Sequence, residues 1–155
     1  EAFRTSTTCD LDHGDPLVIA VNNRLHDLAG IPREYGEPMQ GQRYDVGQEF
    51  KPHTDYFDPH GADWQTYCAI PGQRSWTMMI YLNQPDAGGA TRFLATGKLH
   101  QPVAGKLLAW NNVRPDGTAN PDTLHHGMKV RKGRKYIITK WFRERPWPWA
   151  DGELG

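Results

Sequence analysis

Three short segments carry side chains that could share one chemical task. His53-Thr54-Asp55 sets an imidazole and a carboxylate two positions apart. In a strand, residues two apart point to the same face, so both groups would project together. Alone, such a triplet is commonplace on a protein surface. Far downstream stands His125-His126-Gly127. A closed β-architecture can make remote strands neighbours. Two imidazoles and one carboxylate form the facial triad of non-haem iron(II) oxygenases, which leaves coordination positions open. Adjacent strand residues face opposite ways, so only one of His125 and His126 can be the ligand. Lys135 lies ten positions past His125, on the next expected strand. A lysine inside a strand needs a partner when buried. Lys135 reads either as a solvent-facing member of a basic run with Lys129, Arg131, Lys132 and Arg134, or as a pocket cation for a carboxylate ligand.

The elements that must hold these groups are visible in outline. Asp15 can cap a helix whose first position is Pro16, with Leu17, Val18, Val21, Leu25 and Leu28 as its apolar stripe. Gly30 and Pro32 end it. The segments 42–55, 76–82, 91–94, 105–110, 125–130 and 135–142 have β character, and Pro71-Gly72, Gly88-Gly89 and Asp116-Gly117 punctuate them. Several short strands after one early helix predict a mainly β fold, a sandwich or jelly roll with the helix packed outside. The connection 55–74 is long and reads as a surface excursion or as a lid over a site. Trp76 is expected in the core. The tail Pro146-Trp147-Pro148-Trp149 is expected to be extended.

Composition narrows the possibilities. A chain of 155 residues suits a single domain over 1–155. Its 18 basic and 18 acidic residues cancel, which argues against a broad nucleic-acid face. No apolar run approaches the roughly 18 residues of a membrane span. Six Trp and six Tyr promise an aromatic-rich core. Cys9 and Cys68 are too few for a disulfide framework and favour a reducing, cytoplasmic setting. No signal-peptide pattern opens the sequence, and no motif bears on oligomeric state.

Taken together, the segments resemble the collagen-type prolyl 4-hydroxylases, a branch of the Fe(II)- and 2-oxoglutarate-dependent dioxygenases. The resemblance runs from Arg4-Thr5-Ser6 to Trp141-Phe142-Arg143-Glu144. It is strongest from Arg43-Tyr44 to Tyr56-Phe57, in Gly88-Gly89-Ala90-Thr91-Arg92-Phe93, and from Leu124-His125 to Gly133-Arg134-Lys135. It implies a double-stranded β-helix, or jelly roll, with His53, Asp55 and His125 as iron ligands. The ten-residue step to Lys135 selects His125 over His126. By the same resemblance Lys135 binds the distal carboxylate of 2-oxoglutarate, and Tyr44 and Thr91 are its hydrogen-bonding helpers. Arg74 corresponds to an arginine near the peptide groove and Trp141 to a pocket-side tryptophan of the last strand.

The implied cofactors are Fe(II), 2-oxoglutarate and O2, with ascorbate as reductant. The implied reaction is hydroxylation of peptidyl proline, coupled to decarboxylation of 2-oxoglutarate to succinate and CO2. Related halogenases leave the carboxylate position vacant, so Asp55 favours hydroxylation. Trp64, Tyr67 and Trp76 with Arg74 could wall a groove for a polyproline II peptide. Some features depart from the family. Gly127-Met128-Lys129-Val130 lacks the usual proline, Phe50 stands where many relatives have Tyr, and the segment after Asp55 differs. The strand and helix usual before Arg-Thr-Ser are absent from this sequence. The loop differences bear on the substrate. Two further readings therefore stand beside the first: a hydroxylase of a free amino acid or small metabolite, and a non-catalytic metal-binding jelly-roll module. His60 is a lesser candidate for substrate contact, and His13, His26 and His100 have no argued role.

Overall fold

The first helix, α1 (Pro16–Ala29), begins and ends where its sequence requires. In the computed structural model, which describes residues 3–149, the Asp15 carboxylate accepts from the Leu17 and Val18 amides. Gly30 closes the helix at φ 66°, a conformation glycine adopts without a Cβ clash. The buried face is not the expected stripe. Leu17 and Leu28 are 72% and 64% exposed, whereas Leu25 and His26 are buried. The face that meets the sheet runs through Val18, Val21, Leu25 and Ala29, and Leu17 and Leu28 lie to its sides. His26 is tolerated inside because its Nδ1 pairs with the Ile31 carbonyl at 2.9 Å and its ring packs edge-on against Phe142.

The strands are β1 (Thr7–Asp10), β2 (Gln40–Tyr44), β3 (Phe50–His53), β4 (Arg74–Tyr81), β5 (Ala87–Gly88), β6 (Thr91–Phe93), β7 (Leu99–His100), β8 (Leu107–Asn111), β9 (His125–Gly127), β10 (Val130–Lys132) and β11 (Lys135–Arg143). The larger sheet has the order β1-β2-β11-β4-β8, the smaller β3-β9-β6-β7, and β5 pairs with β10. Tyr44, Met79, Tyr81, Leu108, Trp110 and Ile137 of the larger sheet meet Phe93 of the smaller one in a shared core. Alternation along β4 and β11 sends Met79, Tyr81 and Ile137 into that core. The same alternation sends Met78, Ile80, Ile138 and Phe142 outward onto α1. This is the expected jelly roll with a helix outside.

Two expectations change, and one open choice resolves. The segment 125–130 is two strands in different sheets, interrupted at Met128 and Lys129. Trp76 is 41% exposed, because it shares the outward parity of Met78 and Ile80. Of the two readings of the connection 55–74, the excursion packed on itself is the one seen. It contains α2 (Asp63–Tyr67). The Gln73 side chain brackets Phe57, accepting from its N–H and donating to its carbonyl, both at 2.8 Å. Arg143 donates to the Tyr67 and Gly72 carbonyls, and Arg145 to those of Ile70 and Ala69.

Candidate active site

Pairing of β3 with β9 sets His53 directly opposite His125. The Nδ1 of His53 lies 2.7 Å from the Lys51 carbonyl, and that of His125 lies 2.8 Å from the Thr123 carbonyl. A carbonyl only accepts, so each Nδ1 carries the proton and each Nε2 presents a lone pair. Those Nε2 atoms stand 3.4 Å and 3.7 Å from Asp55 Oδ1. The three ligand atoms lie within 4.8 Å of one another. Burial lowers the pKa of His125 even with Asp55 beside it, which keeps the ring neutral. Burial alone would raise Asp55, but His125, His53 and Arg74 overcome it and hold the carboxyl well below its usual range. Three converging lone pairs with no proton between them suit a divalent cation. His126 points elsewhere and pairs with Glu49 at 2.8 Å.

The second oxygen of Asp55 is fully engaged. Its Oδ2 accepts from the Thr77 hydroxyl at 2.7 Å and from Trp141 Nε1 at 3.1 Å. Thr77 Oγ1 in turn accepts from Asn112 Nδ2 at 2.8 Å. Thr77 and Asn112 are both 0% exposed. Sequence reasoning missed both. Their one available sign is strand parity, since Thr77 alternates with Met79 and Tyr81.

Lys135 is not solvent-facing, for it is 2% exposed. Register places it opposite Tyr44 on β2. Its Nζ donates to the Gly89 carbonyl at 3.1 Å and sits 4.4 Å from the centre of the Tyr44 ring. Burial lowers its pKa to about 8. Tyr44 donates to Gln42 at 2.8 Å, and Thr91 shares a 2.5 Å hydrogen bond with the Tyr81 hydroxyl. Burial pushes both phenols up to about 12, so they remain O–H donors. Tyr44, Thr91, Lys135 and the His–Asp–His cluster line one inner cavity of about 40 Å³.

His53 and Asp55 also line an outer cavity of about 410 Å³, with Phe57, Tyr67, Arg74 and Trp147. There Arg74 grips Glu37 with Nε and Nη2 at 2.7 Å and 3.0 Å. Arg143 Nε reaches the same carboxylate at 2.8 Å. Trp141 lines both cavities, and the Arg74 guanidinium stacks 3.9 Å from its ring. Of the expected aromatic wall, Tyr67 is present, while Phe57 and Trp147 take the places foreseen for Trp64 and Trp76. His60 is an exposed loop residue.

The sequence matches the 2OG-Fe(II) oxygenase superfamily over residues 39–143. The chain belongs to that superfamily. Prolyl 4-hydroxylase 5 of Arabidopsis thaliana is 38% identical over 90% of this chain and 53% of its own length. Rat prolyl 4-hydroxylase subunit alpha-3 is 34% identical over 86% of this chain and 24% of its own. The chain thus spans about half or less of these curated relatives. The viral collagen prolyl hydroxylase of Paramecium Bursaria Chlorella virus-1, solved with 2-oxoglutarate, superposes with a TM-score of 0.75 at 26% identity. That match covers 90% of this chain and 79% of the viral one. Membership in the 2OG-Fe(II) oxygenases implies iron(II), 2-oxoglutarate and dioxygen. The residues present fit that set: an acceptor-only triad for a cation, and a buried lysine for an anion.

Proposed function

We propose that this chain hydroxylates proline residues in peptides, with 2-oxoglutarate as co-substrate and ascorbate as an external reductant. The observation that carries the reading is that His53 and Asp55 line both cavities, the inner one with the buried cation and the outer one walled by Phe57, Tyr67, Trp141 and Trp147. Similarity to named prolyl 4-hydroxylases supports the same choice. In this reading His53, Asp55 and His125 hold iron(II). Lys135 binds the distal carboxylate of 2-oxoglutarate, with the Tyr44 and Thr91 hydroxyls beside it. Once bound, the metal and co-substrate supply oxygen activation, giving succinate and CO2 and placing one oxygen atom in a substrate C–H bond.

The chain's own residues do the orienting. Thr77 and Trp141 occupy Asp55 Oδ2, which leaves Oδ1 alone toward the cation and coordination positions open. Arg74 and Trp141 wall the outer cavity beside the triad. The charges there also bear on the substrate. Glu37 is gripped by both Arg74 and Arg143, so its carboxylate is fully engaged. A free amino acid brings an ammonium and a carboxylate, and this interlocked trio offers it no carboxylate to spare. A neutral peptide segment fits better. Proline-rich peptides incubated with Fe(II) and 2-oxoglutarate should gain one oxygen by mass spectrometry, in step with succinate release. Turnover with free amino acids but with no peptide would overturn the reading, and so would failure to release succinate at all.

A further inference from the structure

One motif has no part in the chemistry above, the tail Pro146-Trp147-Pro148-Trp149. Trp147 nevertheless lines the outer cavity beside Phe57 and Tyr67. Its backbone is pinned, for the amide donates to the Glu34 carbonyl at 2.6 Å. Proline on either side restricts the backbone further. The ring lies 5.3 Å from the Arg143 guanidinium, which lies equally 5.3 Å from Phe57. Arg74 sits 5.0 Å from Phe57 and 3.9 Å from Trp141. Aromatic rings and guanidinium planes therefore alternate from Trp141, which bonds Asp55, out to Trp147. Glu37 locks both guanidinium groups in place. Trp149 packs edge-on against Trp147, centroids 4.7 Å apart.

We propose that Trp147 is a specificity-determining residue, the outer end of this wall, which packs against a second proline of the substrate away from the one that reacts. The inference rests on the peptide reading. The wall presents flat rings held by two guanidinium groups that share the Glu37 carboxylate. An extended proline-rich segment loses little freedom on docking against such rings, because both partners are already rigid. A peptide with repeated prolines then binds better than one with a single proline.

The test is steady-state kinetics on two peptides of equal length, one with a single proline and one with repeated prolines. For the wild type, KM should be lower for the repeat. Trp147→Ala should raise that KM about 10-fold, the scale of one lost aromatic anchor, with kcat within about twofold. The single-proline KM should move by less than about twofold. Trp147→Phe keeps a ring over Arg143 and should fall between, which carries the test if the alanine variant fails to fold. Equal wild-type KM values for the two peptides overturn the role of Trp147, as does a variant that shifts both KM values alike or lowers kcat for both. If the wild type hydroxylates neither peptide yet turns over free amino acids, the peptide reading itself falls.

Discussion

Asp55 is held on both sides of its carboxylate, and the side away from the triad is the more easily tested. Thr77→Val removes the donor to Oδ2 and orphans the buried Asn112 amide. Manganese(II) affinity, followed by titration, should weaken about 10-fold, the low end for lost outer-shell partners of a metal ligand. Thr77→Ser should restore it, and equal affinity in Val and wild type would show that the hydroxyl does not orient the ligand. Lys135 makes a pH prediction. Burial brings its pKa down to about 8. Below that pH the ammonium is charged and can hold a carboxylate, and above it the neutral amine cannot. The Kd of 2-oxoglutarate for the manganese-loaded protein should therefore rise about tenfold per pH unit above 8, as affinity is lost with the ammonium. Calorimetry can follow this, and Lys135→Arg, charged throughout, should flatten the dependence. The grouping of His53, Asp55 and His125 and the burial of Lys135 were legible through the joint resemblance of their segments to a family, since each motif alone also has an ordinary surface reading. Thr77, Asn112 and Glu37 were not, because a threonine or asparagine becomes part of a site only through its strand's neighbours.

The elements turn those neighbours into a site. β3 and β9 place the two imidazoles face to face, and the β2–β11 register sets Tyr44 opposite Lys135. The capped helix and the longer strands were legible from caps and alternation. β1 was not, since its exposed Thr-Thr-Cys-Asp pairs at a sheet edge and shows no apolar period. The helix stripe misled at Leu17 and Leu28 because a sequence shows which residues are apolar, not which of them the sheet covers. Glu37 belongs to this scale, since it ties β4 to β11 by gripping Arg74 and Arg143. Arg143 and Glu37 have side chains only 1% and 9% exposed. Glu37→Gln removes the one carboxylate between two arginines and should cost about 3–5 kcal/mol, the range for breaking a buried ion pair. Urea denaturation reads this directly, and a loss below about 1 kcal/mol would mean that the clamp behaves like a surface pair.

Across the whole molecule, the groups assigned to metal and co-substrate are divided between the two sheets. His53 and His125 stand on the smaller sheet, as does Thr91, whereas Tyr44 and Lys135 stand on the larger. A net charge of zero conceals this arrangement, because one buried cation and one acceptor-only cluster cancel in any count. Each is unfavourable alone, the first through desolvation and the second through converging lone pairs. A dication at the triad and a dianion at Lys135 would each relieve one of them, and they attract one another across the shared inner cavity. Binding to the folded state alone adds about 2.7 kcal/mol for a ligand at 100 times its Kd. For a chain of this size each kcal/mol raises Tm by roughly 2–4 °C. Manganese(II) alone should then lift Tm by about 5–11 °C, and manganese with 2-oxoglutarate by more than the sum of the separate shifts. Lys135→Met should erase the co-substrate increment and spare the metal's, and Asp55→Ala should erase the metal's and the excess together. Differential scanning fluorimetry on the three proteins decides it. A co-substrate shift of the same size with and without metal would mean that the two groups do not interact across the inner cavity, and the division of the site between the sheets would then have no thermodynamic consequence.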